Sequence, residues 1–430
     1  MERLMELARM AAEQVEVYAQ DTKTDGVSFE NARLKDIDSK LQSGVRLTLL
    51  ARGRLGSAYT RNLLDREGLV QNALASLSVG TEAGYELPAT KDVPALASCD
   101  PGIEKVTNTQ MTDECARICA ALAPRVKGQV NVSAGRATTR VRVLNSRGTD
   151  LAADVSSYFC YAAVYFPGSY SSVHRVVSAR GFAPMPDDDL DFIAETYNAA
   201  EKEVKAKSGP TRVLFLPEAM YALLWRLSAA TSGKAVYEKV SPLTGRKGEK
   251  LFSELLTVSD EPLDDTRPGA RAFDDEGTVC RSMKLVEAGR LSGYYCDRYY
   301  AWKLGGEPTG HGYRSGIEAK AVPTLEHLVI KPGEASLERL IGMMDSGIIV
   351  SSVLGAHSGN ILNGDYSIGL SPGFCVEKGK VIGHVKDAMV AGNIYDTLKN
   401  VVAVGDRLFP AHLGWFPALL LDGVNFAAKG

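Results

Sequence analysis

The chain has 430 residues, a formal net charge of −3 at pH 7, and an ordinary globular balance of 45% apolar and 23% charged residues. That charge leaves no basic footprint for nucleic acid, and no run of about 18 apolar residues calls for a membrane span. Seven scattered cysteines with no CxxC pair read as reduced thiols of a cytoplasmic protein, and the length allows two domains of ordinary size.

The N-terminal residues carry glutamates and lack a hydrophobic signal core, so they read as part of the folded chain. Leu4, Leu7, Ala8, Ala11, Ala12 and Val15 follow helical spacing and predict a helix over 2–14. Alternation from Val15 predicts a strand, followed by short strands at 26–30, 34–39, 44–50 and 56–60. Gly53 to Gly56 resembles a phosphate loop, but no helix follows it, so turn chemistry is the better reading. A helix is predicted over 65–77 and another over 114–122. On the second, Cys115 and Cys119 share a face; with no histidine nearby they read as small buried thiols before metal ligands.

Strong alternation over 130–143 predicts strands, with Asn145-Ser146-Arg147-Gly148 as a turn. Residues 158–166 are apolar at every position, which suits a strand buried on both faces. A helix over 187–205 starts acidic and ends basic, matching its dipole. Ser208-Gly209-Pro210 stops it, and there we place the boundary between an N-terminal α+β domain, 1–208, and a β-rich C-terminal domain, 209–430.

The second half opens with a strand over 211–216 and a helix from Pro217 to about Ala230. The acidic motif Phe273-Asp274-Asp275-Glu276-Gly277 follows, then a hairpin around Glu287 to Arg290 and helices over 299–304 and 334–344. Between Gly347 and Gly379 lie 7 glycines in 33 residues, against 41 in 430 overall, so tight turns and close backbone approaches replace long helices there. Glu377 to Lys380 is a hairpin turn, Asn393 is a helix N-cap, and 401–406 is a buried strand ending in a turn. The class is α+β: two strand-rich mixed domains, the C-terminal one a largely antiparallel, barrel-like sheet.

Chemistry is sparse. Asp274, Asp275 and Glu276 can hold a cation or orient a water, or can form an acidic turn that accepts backbone N–H groups. His357 and His384 share the glycine-rich stretch with Cys375, so a Cys–His pair or a metal site can be drawn from them. Cys375 sits mid-strand among apolar residues, which argues against a reactive thiolate. HExxH and HExxxH are absent.

Several motifs nevertheless occur in one order. Asn145-Ser146-Arg147-Gly148, Leu216-Pro217-Glu218-Ala219, Ser241-Pro242-Leu243-Thr244-Gly245 with Gly248-Glu249, Phe273 to Gly277, Val286 to Gly293, and the stretch from Gly364 to Asp406 together resemble the TldD/PmbA family. In that family, TldD-type chains carry a zinc-binding HExxxH on the helix after the "PEA" element and a cysteine near the C-terminus. They act as metallopeptidases in a complex with a PmbA (TldE) chain lacking the motif. The corresponding positions here are Trp225, Arg226 and Ala230, and no cysteine follows Cys375. An indole, a guanidinium and a methyl do not bind zinc.

The resemblance is therefore to the PmbA (TldE) branch. It implies a non-catalytic partner subunit, with no cofactor in this chain and zinc in a TldD-type partner, that helps form a channel for unfolded peptides. Peptide would add as a strand to a sheet edge. Asp274, Asp275, Glu276, Gly277, Asn145, Ser146, His357 and Asn393 are the candidate peptide-binding or structural positions. Two alternatives stand beside it: a homodimeric peptide-binding or scaffold protein, and a metallopeptidase with a relocated site built from Asp274, Asp275, Glu276, His357 and His384. The family's older name, modulator of DNA gyrase, implies an indirect link to gyrase; the charge gives no support for direct DNA contact.

Overall fold

The computed structural model describes residues 1–168 and 171–429. Strands Gln14–Glu30 and Arg33–Ala51 form one long hairpin, closed by Asn31 and Ala32 at positive φ. The four short strands expected here between 26 and 60 thus become two long ones and Arg54–Thr60. Gly26 and Gly44 do not break the ladder; they stay paired with Asp38 and Gln20. The second does a different task, because a Cβ on Gly44 would lie 2.9 Å from Ile317, a residue of the C-terminal half. Gly53, at φ 68, turns Arg33–Ala51 into Arg54–Thr60, as turn chemistry predicts.

These strands, with Thr81–Glu82, Gln129–Asn145, Asp150–Tyr165 and Ser172–Ala179, make a seven-stranded antiparallel sheet. Its pleat divides its partners. Val15, Val17, Val27 and Phe29 face the helices Glu2–Arg9, Arg66–Ser76 and Asn108–Leu122. Glu16 and Tyr18, on the other face, meet the C-terminal half. Cys115 and Cys119 are buried with Val27 and Phe29, and burial pushes their thiols up, to about 12 and about 11. Phe159 departs from the expectation of two buried faces: it is 45% exposed.

The C-terminal half carries a nine-stranded, curled sheet. Its central strand, Gly209–Phe215, pairs antiparallel with Leu419–Ala428 and parallel with Ser346–Val350. Val213 and Phe215 point into the core around helix Tyr221–Thr231, while Leu214 and Leu216 point into the core shared with helices Asn108–Leu122 and Asp187–Ala199. One sheet thus serves as a common wall, and the strand-rich α+β class read from the sequence holds. Hairpin turns fall where expected, at Ala288-Gly289 and Lys378-Gly379, all at positive φ.

Three helices are shorter than their charge and apolar patterns suggest. The 2–14 segment is helical only over Glu2–Arg9, because strand Gln14–Glu30 takes its last residue and a turn lies between them. The 187–205 segment ends as a helix at Ala199, because Val204 donates its N–H to His384 O at 2.9 Å and joins a sheet edge instead. The 334–344 segment is helical only over Leu337–Gly342, its start fixed by the Ser336 hydroxyl accepting Arg339 N–H. Among the described residues, no helix is long and apolar enough to cross a membrane.

Candidate functional site

The helix Tyr221–Thr231 follows the single 3-10 turn opened by Pro217. Trp225 is 39% exposed, Ala230 is buried, and Arg226 is fully buried. No carboxylate pairs with Arg226 among the described residues; its Nη1 donates to Ala222 O at 2.5 Å, its Nη2 to Ser358 O at 2.6 Å and its Nε to Asp365 O at 2.7 Å. Burial pushes its pKa down. The guanidinium therefore pins the 358–365 loop to the helix. These three side chains do not fit zinc, and the most deeply placed of them already has its donors occupied by backbone.

Asn393 belongs to the same network. Its Oδ1 accepts Tyr395 N–H at 3.0 Å, the expected N-cap, and its Nδ2 donates to Asn363 O at 2.8 Å and Asp365 Oδ1 at 2.9 Å. His357 lies on the exposed surface of that loop.

A second group assembles around the acidic motif. Phe273 is buried against Tyr18, Val141 and Val143 of the N-terminal sheet. Asp274 is fully buried; its Oδ1 accepts the N–H groups of Glu276 and Thr278 at 3.0 and 2.9 Å, and its Oδ2 accepts Gly312 N–H at 2.9 Å. Burial, with the Glu276 charge, pushes its carboxyl up to about 8. Asp275 pairs with Arg271 at 2.9 Å and accepts Arg314 N–H at 2.9 Å. Glu276 accepts Arg298 N–H at 2.8 Å. Gly277 turns the chain at φ 74, and a Cβ there would lie 3.3 Å from Thr149 and Val143. The motif is thus an acidic turn that docks the C-terminal half on the N-terminal sheet.

Asn145 and Ser146 reach the same joint from the other side. Asn145 Nδ2 and Thr149 Oγ1 both donate to Pro88 O, at 2.8 and 2.9 Å, and Thr90 Oγ1 donates to Gly277 O at 2.7 Å. Ser146 Oγ accepts Val15 N–H at 2.9 Å.

Cys375 and His384 occupy adjacent strands, but the register pairs Cys375 with Gly383 and His384 with Phe374. The thiol and the imidazole therefore stand on opposite faces. Cys375 is buried and its thiol is pushed up by burial. His384 has its Nδ1 2.5 Å from Ala200 O and stacks on Phe166.

Sequence reasoning missed the charges between the two halves. Glu16 pairs with Arg314 at 2.9 Å, both side chains about 95% buried, and Arg46 lies beside them. Their signal was present: a charge inside an apolar strand run, in Val15-Glu16-Val17 and Val45-Arg46-Leu47. Together with Asp297, Arg298 and Tyr85 they border a cavity of about 170 Å³.

Three comparisons bear on this arrangement. The family model for the PmbA/TldA metallopeptidase C-terminal domain matches residues 208–428, and that for domain 1 matches residues 15–77. The chain belongs to the PmbA/TldD family. Among its relatives, the metalloprotease PmbA homolog of Haemophilus influenzae is 27% identical over 94% of this chain and 90% of its own length. A metalloprotease of Methanothermobacter thermautotrophicus is 25% identical over 91% of this chain and 88% of its own. The crystal structure of TldE from Thermococcus kodakarensis superposes with a TM-score of 0.92 at 22% identity, over 99% of both chains. A Thermotoga maritima structure described as a putative modulator of a DNA gyrase gives 0.88 at 25% identity, over 99% of both chains. This PmbA/TldD-family chain is thus a TldE-like fold with metalloprotease relatives.

Proposed function

We propose that this chain is the non-catalytic partner subunit of a TldD-type zinc metallopeptidase in the cytoplasm, that it dimerises with that subunit, and that it helps form a channel for unfolded peptides. One observation carries the reading. At the position where a zinc-site glutamate would stand, Arg226 is buried and spends its N–H groups on three backbone carbonyls. A residue so committed has neither the donor atoms nor the freedom for metal chemistry.

Peptide capture has support in the N-terminal sheet. Residues Arg54–Thr60 pair only with 45–51 of the long second strand, so the outer edge of 33–43 has no strand partner among the described residues. Leu34, Ile37 and Leu41 are exposed along it. An open edge of this length takes an extended peptide by main-chain hydrogen bonds, with little demand on its sequence. The same edge favours a second reading, a homodimeric peptide-binding protein, since it needs no partner subunit.

The test is hydrolysis of an unstructured peptide by this chain alone and with a TldD-type partner added, each with and without a zinc chelator. Activity that requires the partner and is abolished by chelator is expected. Chelator-sensitive activity from this chain alone overturns the reading.

A further inference from the structure

The cavity between the halves is lined by arginines whose side chains are incompletely paired. Arg46 is 7% exposed and the Arg314 side chain 5% exposed. The buried Nε–H groups of Arg46, Arg298 and Arg314 have no hydrogen-bond partner among the described residues. Exposed Lys234 and Lys320 add positive charge at the same cavity.

The carboxylates at this site are already engaged. Glu16 is held by Arg314 at 2.9 Å. Glu276 takes the Arg298 backbone N–H, and Asp297 caps the helix Arg298–Lys303 through Tyr300 N–H at 2.7 Å. Burial and the Glu276 charge push the Asp297 carboxyl up to about 8, so at neutral pH it largely keeps its proton. Arg46 has no ion-pair partner among the described residues; it reaches only Ile317 O, Glu318 O and Ser57 Oγ, at 3.4, 2.8 and 2.5 Å. Burial and then the Arg314 charge push its pKa down to about 10. The Glu16 and Glu318 charges act on Arg46 in the opposite sense, but neither forms an ion pair with it, so an oxyanion in the cavity would give Arg46 a direct counter-charge.

We propose that this cavity binds a small molecule through an oxyanion group, carboxylate or phosphate, held by Arg46, Arg298 and Arg314. Tyr85, Tyr299 and Tyr300 line the rest of the space, giving the remainder of the ligand amphipathic ring surfaces. The site uses residues of this chain alone and does not depend on the partner-subunit reading.

Isothermal titration calorimetry on the full chain tests it with three titrants: inorganic phosphate, the dipeptide Gly-Tyr, and Gly-Tyr amide. Saturable one-site binding of phosphate or of Gly-Tyr is expected, weakened about tenfold or more by Arg46→Gln and about threefold by Lys234→Ala with Lys320→Ala. Binding of Gly-Tyr but not of its amide assigns the ligand as a carboxylate; binding of phosphate alone assigns a phosphate. The exposed lysines can be removed without disturbing the core, so the double variant decides the matter if Arg46→Gln does not fold. No saturable binding of phosphate or Gly-Tyr, amide binding as tight as that of the acid, or affinity unmoved by the lysine changes overturns the proposal.

Discussion

Arg226 and Arg46 are both buried arginines without a carboxylate ion-pair partner among the described residues, yet they sit in opposite situations. Arg226 directs Nε, Nη1 and Nη2 at three carbonyls. Arg46 leaves its Nε unsatisfied beside a cavity and faces the charge of Arg314. The first arrangement is closed and structural. The second is open, and its energy improves only when something else arrives. Burial alone does not separate structural from ligand-binding arginines; the state of their N–H groups does.

The closed site is the place to break this contrast most severely. Arg226→Ala removes the donors to three carbonyls, that of Ala222 buried and those of Ser358 and Asp365 partly so, and leaves a void, with an expected loss of about 3 to 4 kcal/mol in chemical denaturation and early hydrogen exchange in the 358–365 loop. If the loss were below about 1 kcal/mol, the clamp would not be holding the loop and the contrast with Arg46 would collapse.

Phe273→Ala comes next. Phe273 is 1% exposed and seats the acidic turn on Tyr18, Val141 and Val143, so about 3 to 4 kcal/mol should be lost. Because the same turn carries Glu276, which borders the cavity, phosphate or Gly-Tyr binding should weaken with it. Full stability in this variant would mean that the two halves are held together elsewhere.

The open site should also make stability depend on pH, which sharpens the comparison. The folded-state carboxyl of Asp297 is raised to about 8, against about 3.9 in an unfolded chain, so the native state holds the proton more tightly. Its stabilising contribution is complete below about pH 3.9 and is lost as pH rises through about 8. Asp274, also raised to about 8, acts with the same sign. Tm should therefore fall between pH 5 and 9. Asp297→Asn, which keeps a capping oxygen but has no proton to lose, should flatten the fall by about 1 to 2 kcal/mol. An unchanged slope would show that Asp297 ionises normally and that the arginines already have their counter-charge.

Much of this arrangement was legible in the sequence, and unevenly so. Turns and caps were readable because their causes are local. Ala288-Gly289 and Lys378-Gly379 take positive φ within their own hairpins, and Asn393 caps the helix that follows it. That the sequence holds no HExxxH was equally plain, but the role of Arg226 was not, since Ser358 and Asp365 lie more than 130 positions away. The joint between the halves was hidden for the same reason. Phe273 meets Tyr18, and Arg46 meets Ile317 and Glu318 at separations of 271 and 272. Nothing local in Gly44 tells that its missing side chain makes room for Ile317. The expected helix over 187–205 failed similarly: its charges suit a dipole, but an edge pairing with His384 takes its last residues.

The smallest effect gives the finest test of the closed network. Asn393 caps Tyr395 and donates to Asp365 Oδ1, while Arg226 holds the carbonyl of that same Asp365. Asn393 is only half-buried, so water can replace part of what it supplies, and Asn393→Ala should cost about 1 kcal/mol. Combining it with Arg226→Ala asks whether Asp365 is held once or twice. Costs that add within about 0.5 kcal/mol would mean two independent anchors. A double variant less damaged than the sum is the expected outcome, because once Arg226 releases the loop, Asn393 has little ordered backbone left to hold.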